Sequence, residues 1–156
     1  QGGDVIRFLG GALSVALLTA PGAALAFGND DRWESGWGMG VAEAVITRGA
    51  GNQIYVTCDE GADRNATAIS FTLADDSPKD SSVQLTFDGE PPEDYSLWDG
   101  RIKSDCRACA ATYHTVIKKL KTHSSVHVKF KNGDAAKFSL NGSSKAIGQC
   151  VADFYR

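Results

Sequence analysis

SDCRACAATYHTVIKKLKTHSSVHVKFKNGDAAKFSL, residues 104–140, contains a change of hydrophobic period. From Cys106 the apolar positions fall at Cys109/Ala110, Tyr113, Val116/Ile117 and Leu120. That three-and-four spacing keeps one face of an α-helix apolar, and it predicts a helix over residues 104–121. Ser104 or Asp105 can cap its start, because a short polar side chain accepts from the free N–H groups there. Lys118, Lys119 and Lys121 sit where the helix dipole favours cations. The period then drops to two, with Val126, Val128 and Phe130 alternating with His127 and Lys129. Asn132-Gly133 follows, and residues 136–140 form a second short run. Asn-Gly between two such runs predicts a β-hairpin.

Upstream, the pattern is strands and turns. Residues 53–58 (QIYVTC) are rich in β-branched and aromatic side chains. Residues 68–73 place Ile69, Phe71 and Leu73 on one face, and residues 83–87 do the same with Val83, Leu85 and Phe87. Trp33 to Ile46 begins as a glycine-broken run (GWGMG) and then alternates loosely. Asp88-Gly89 marks a turn, and Pro91 and Pro92 make residues 90–94 a loop, since proline cannot donate to a sheet ladder. Residues 95–103 read as one more small hairpin around Asp99-Gly100. Downstream, Gly142-Ser143-Ser144 introduces a second helix with Ala146, Ile147, Cys150, Val151 and Phe154 on one face. The expected fold is α+β and mainly β: an antiparallel β-sandwich-like domain with one mid-chain and one C-terminal helix, stapled by disulfides.

Residues 5–26 form an apolar export segment. Arg7 supplies its basic end, and Ala24-Leu25-Ala26 is a small-x-small cleavage site that makes Phe27 the first mature residue. Retention as a membrane anchor is the competing reading. Residues 27–156 then form a single β-rich domain. Its charge is split: residues 27–100 carry four Lys and Arg against fifteen Asp and Glu, and residues 101–156 carry eleven against three. Either two binding faces or two mutually attracting halves produce that pattern.

An exported chain with four cysteines reads as disulfide-bonded. Four cysteines allow three pairings. The expected one is Cys58–Cys150, tying a core strand to the C-terminal helix, with Cys106–Cys109. The first closes a long loop and stabilises by about 4 kcal/mol in the chain-entropy view. Cys106-Arg107-Ala108-Cys109 at a helix start also has the form of a redox pair, because the dipole and Arg107 lower a thiol pKa. The chain lacks a βαβ setting and any proline after Pro92, which favours a structural pair. One CxxC, even with His114, His123 or His127, falls short of a paired zinc knuckle. His123 and His127 share a side if the segment is extended, but no carboxylate lies near them in sequence. Asp75-Asp76 and Glu93-Asp94 lie in polar loops that do not split their pKa values. No phosphate loop, nucleophile elbow or metalloprotease helix occurs. No metal or cofactor is expected. A basic stripe (Lys118, Lys119, Lys121, Lys129 and Lys131, with His123 and Lys137) is the candidate binding surface. Tyr95 and Trp98, on the acidic hairpin, are the candidate exposed aromatics beside it.

Residues 113–150 also carry a family resemblance. A helix ending Ile117-Lys118-Lys119-Leu120, the strand Val126-His127-Val128, a turn, Phe138-Ser139-Leu140, Gly142-Ser143-Ser144, Ala146-Ile147 and Cys150 follow in order. This resembles the C-terminal half of the invasion-associated locus B family and related small exported alphaproteobacterial proteins. The resemblance implies a periplasmic or secreted β-sandwich with short helices and no known catalytic residues. The expected function is a non-enzymatic, disulfide-bonded binding protein of the bacterial envelope, related to host interaction. Its partner is another protein or an anionic envelope component, not nucleic acid, and the membrane only if residues 5–26 are retained. The alternatives are a thiol–disulfide oxidoreductase using Cys106 and Cys109, and a membrane-anchored subunit of an envelope complex.

Overall fold

A computed structural model describes residues 30–61 and 66–156; the export segment lies outside them. Strands β1 (Glu34–Gly38), β2 (Val41–Thr47), β3 (Gln53–Asp59), β4 (Ala68–Thr72), β5 (Ser82–Phe87), β6 (Glu93–Ser96) and β7 (Arg101–Lys103) precede helix α1 (Arg107–Thr122). Strands β8 (Ser125–Lys129) and β9 (Ala135–Ser139), helix α2 (Ser143–Ile147) and a 3-10 turn (Asp153–Tyr155) complete the chain. All strand pairing is antiparallel, in a five-stranded sheet β1-β2-β3-β4-β7 and a four-stranded sheet β6-β5-β8-β9.

Alternation explains why both sheets face one core. Ile54, Val56 and Cys58 of β3, Ile69 and Phe71 of β4, and Val83, Leu85 and Phe87 of β5 all point inward. Val126 and Val128 of β8 and the α1 stripe Ala110, Tyr113, Val116, Ile117 and Leu120 join the same cluster. Trp33, buried just before β1, donates from Nε1 to the Ser139 carbonyl at 3.0 Å, linking the edge of one sheet to the other.

Local turn chemistry sets the hairpins. The GWGMG run folds as β1, a two-residue turn and the start of β2; Met39 (φ 53°) and Gly40 (φ 82°) both take the left-handed backbone. That mirror-image turn matches strand twist, and glycine enters it without strain. At Asn132-Gly133 the hairpin forms, but only Gly133 is left-handed (φ 102°) and the loop widens to hold Asn132 and Asp134.

Three expectations are corrected. Residues 95–103 are not a hairpin of two paired strands: β6 belongs to the four-stranded sheet and β7 to the five-stranded one. A left-handed turn at Asp99-Gly100, bridged by Trp98 and Arg101, carries the chain across. The cap of α1 is Cys106, whose Sγ accepts from Cys109 N–H at 3.1 Å, while Ser104 is withdrawn into the interior. The second helix ends at Ile147, because Gly148 (φ 60°) leaves helical space and the chain must reach β3. Val151 and Phe154 are consequently exposed rather than on a buried face.

Candidate functional site

Both expected disulfides are present: Cys58–Cys150 with Cα atoms 5.5 Å apart and Cys106–Cys109 at 4.9 Å. Their settings differ. Cys58 is 4 % exposed, and the Tyr113 hydroxyl lies against Cys150 Sγ. Burial and the charge of Asp153 push the Tyr113 hydroxyl pKa well up, so it stays protonated. The Cys106–Cys109 pair sits at the surface on the first turn of α1, with Cys106 exposed.

Beside it is a recess of about 230 Å³ lined by the two cysteines with Trp98, Ile102, Ala108 and Thr112. Trp98 is 62 % exposed, as expected from the sequence. Tyr95 is not: it faces inward from β6, 8 % exposed, and its hydroxyl donates to Glu93. Burial, then that carboxylate, raise its pKa. The odd-numbered position on β6 puts Tyr95 opposite Val83, on the core face.

The basic stripe divides. Lys119 Nζ reaches Glu90 Oε2 at 2.6 Å and Glu93 Oε2 at 2.8 Å, and lies 5.5 Å from the centroid of the Phe87 ring. Burial opposes its charge, but the hydrogen bonds to Glu90 and Glu93 outweigh it and raise its pKa. Lys121 Nζ donates to the Gly148 carbonyl at 2.8 Å, fastening the end of α2 to α1. Lys118, Lys129 and Lys131 are exposed. Lys129 and Lys131, with Ser82, Gln84, Asp94 and Phe130, line a shallow groove of about 250 Å³ on the four-stranded sheet. The outward face there is mainly polar, with Gln84 beside Asp94 and Lys129, and Thr86 beside His127.

His123 and His127 do not share a strand. His123 ends α1, its ring 5.2 Å from that of Phe87 and its Nε2 3.2 Å from Glu90 Oε1; His127 lies on β8. The helix runs on to Thr122 and His123 caps it, two residues before β8 begins at Ser125. Glu93 is likewise engaged: hydrogen bonds from Lys119 and then Tyr95 hold its carboxyl below the usual range. Among the described residues, no three His, Cys, Asp or Glu side chains are grouped to hold a metal ion. No helix among them is long and apolar enough to cross a membrane.

A buried polar joint is absent from the sequence reading. Ser104 Oγ donates to the Thr67 carbonyl at 2.8 Å and accepts from Asp153 N–H at 3.0 Å. Asp153 Oδ2 accepts from Thr67 N–H at 3.0 Å, whereas its buried Oδ1 has no hydrogen-bond partner among the described residues. Arg156 approaches Asp59 at 3.8 Å. This joint clamps the C-terminal turn onto β4 beside the Cys58–Cys150 bond. In sequence, Ser104 resembled a helix cap, and nothing local marked it and Asp153 as partners.

No curated protein and no solved structure matches the chain. A family match covers residues 31–147, from just before β1 to the last residue of α2. On that match the chain belongs to the YfjT family.

Proposed function

We propose that this chain is an exported binding module of the bacterial envelope, working in an oxidising compartment. Two disulfides and an apolar N-terminal segment with a small-x-small site support export. The resemblance of residues 113–150 to the invasion-associated locus B family supports an envelope or host-facing role. The observation that carries binding is the polar outer face of the four-stranded sheet, where exposed Lys129 and Lys131 line a groove with Asp94 and, among the described residues, make no ion pair within 4 Å. A flat, cationic, rigid sheet face suits an acidic protein surface or another anionic envelope component.

The test is retention of an envelope extract on immobilised full-length protein across a salt gradient. The wild type is compared with a Lys118→Ala/Lys129→Ala/Lys131→Ala variant. Retention that weakens with salt and disappears in the variant supports the reading. Retention that is indifferent to both overturns it. Lys119 is excluded from the variant, since Glu90 and Glu93 already hold it.

A further inference from the structure

The two disulfides do not have the same work to do. Cys58–Cys150 is inside and joins positions 92 apart, whereas Cys106–Cys109 joins positions 3 apart on a single helical turn. That turn is closed without the bond, by Ala110 N–H donating to the Cys106 carbonyl at 2.7 Å and by Cys109 N–H donating to Cys106 Sγ. Cys106 is exposed and Cys109 half-buried, and both line a recess together with an exposed tryptophan. We propose that Cys106–Cys109 is a dithiol-oxidising site, and that the recess between it and Trp98 receives an apolar residue beside a client polypeptide's cysteine.

The chemistry balances with the disulfide as oxidant. A client thiolate attacks Sγ of Cys106, the more exposed of the two residues; the Cys106–Cys109 bond breaks and Cys109 leaves as thiolate. The mixed disulfide is resolved when the client's second thiolate attacks the client sulfur, expelling Cys106. The client gains a disulfide, two electrons pass to Cys106 and Cys109, and the two client thiol protons end on those sulfurs or in solvent. The helix N-terminus favours both leaving thiolates, Cys109 N–H points at Cys106 Sγ, and no acidic side chain stands in the first turn of α1. Arg107 adds a cation between the two sulfurs in sequence. A further round needs a disulfide-bearing oxidant in the same compartment.

The recess specifies the client. At about 230 Å³ it holds one side chain rather than a folded partner, and Trp98, Ile102 and Ala108 make its wall apolar. An extended, reduced segment with leucine or phenylalanine next to its first cysteine fits.

The test uses the oxidised full-length protein, anaerobically, with a synthetic two-cysteine peptide. The first cysteine is flanked by phenylalanine in one peptide and by glycine in a control. Alkylation and mass spectrometry then report which thiols appear. The expected result is one client disulfide per protein, new thiols only at Cys106 and Cys109, and a rate at least tenfold higher for the phenylalanine peptide. Trp98→Ala is expected to abolish that preference while the protein remains folded, because the side chain is exposed. Cys109→Ser, which cannot form the surface disulfide and so carries no oxidant there, is expected to leave the peptide reduced. Peptide left reduced by the wild type, or Cys58–Cys150 consumed instead, overturns the site. An unchanged preference in Trp98→Ala overturns the recess. These readouts are independent of salt-sensitive retention, so this inference and the binding reading fail separately.

Discussion

Ser104 and Asp153 show how much of the domain's closure depends on two small polar groups. Ser104 is fully buried and bridges Thr67 to Asp153. Ser104→Ala leaves a carbonyl and an N–H without partners in the interior, a loss expected to be about 2 kcal/mol in urea unfolding. Asp153 works in the opposite sense. Burial raises its pKa above the ordinary 3.8, and the hydrogen bonds from Thr67 recover only part of that. The native state therefore holds its proton more tightly than the unfolded chain does. The resulting contribution to stability is present at low pH and is lost as pH rises through the raised native value. Asp153→Asn keeps an acceptor for Thr67 N–H and removes the titration. The difference in urea midpoint between wild type and variant is expected to grow in the variant's favour as pH rises above about 4. Asp88, held down by the N–H groups of Ser125 and Ser124, and Glu93, held down by Lys119, run the other way. Their contributions are lost as pH falls, so the comparison must be made between the two proteins rather than read from one profile.

Element boundaries follow from competition between local pattern and distant partners. The stripe of α1 was fully legible, and its five buried residues are the ones the spacing selects. Its cap was not, because Ser104 found better partners in Thr67 and Asp153 than in the helix N–H groups. The apolar residues after Ile147 looked helical, yet Gly148 turns the chain out at φ 60° and ψ −142°. A side chain there has open space, so any penalty is conformational. Gly148→Ala is expected to destabilise by about 1–3 kcal/mol in the same urea assay, with no change in helix content beyond α2. Crossing between sheets at Asp99-Gly100 was read as a hairpin for a comparable reason. The turn itself is a hairpin turn, and only the alignment of β6 with β5 and of β7 with β4 reveals that its arms diverge.

For the whole domain, the long disulfide and the polar joint act together at one end of the sheets. Replacing Cys58 and Cys150 by alanine releases a loop spanning 92 positions and is expected to cost about 4–5 kcal/mol. Replacing Cys106 and Cys109 releases a single turn and is expected to cost about 2 kcal/mol or less. Denaturant unfolding of the two double variants checks the order, and equal losses would mean that the surface pair is also a staple. Net charge is divided along the chain, and part of the division is used internally: Lys119 of the basic half holds Glu90 and Glu93 of the acidic half. The candidate binding surface is therefore smaller than the basic stripe. Strand and helix periods, the Asn-Gly hairpin and the even cysteine count were set by the sequence alone, because each is a property of neighbouring residues on one face. Which sheet a strand joins, which lysines remain free, and where Ser104 and Asp153 point were decided only in three dimensions. Those outcomes depend on contacts such as Thr67 with Asp153, 86 positions apart, and Trp33 with Ser139, 106 apart. No local pattern encodes the partner of a buried polar group, since its free energy is determined by whatever else the fold brings within hydrogen-bonding distance.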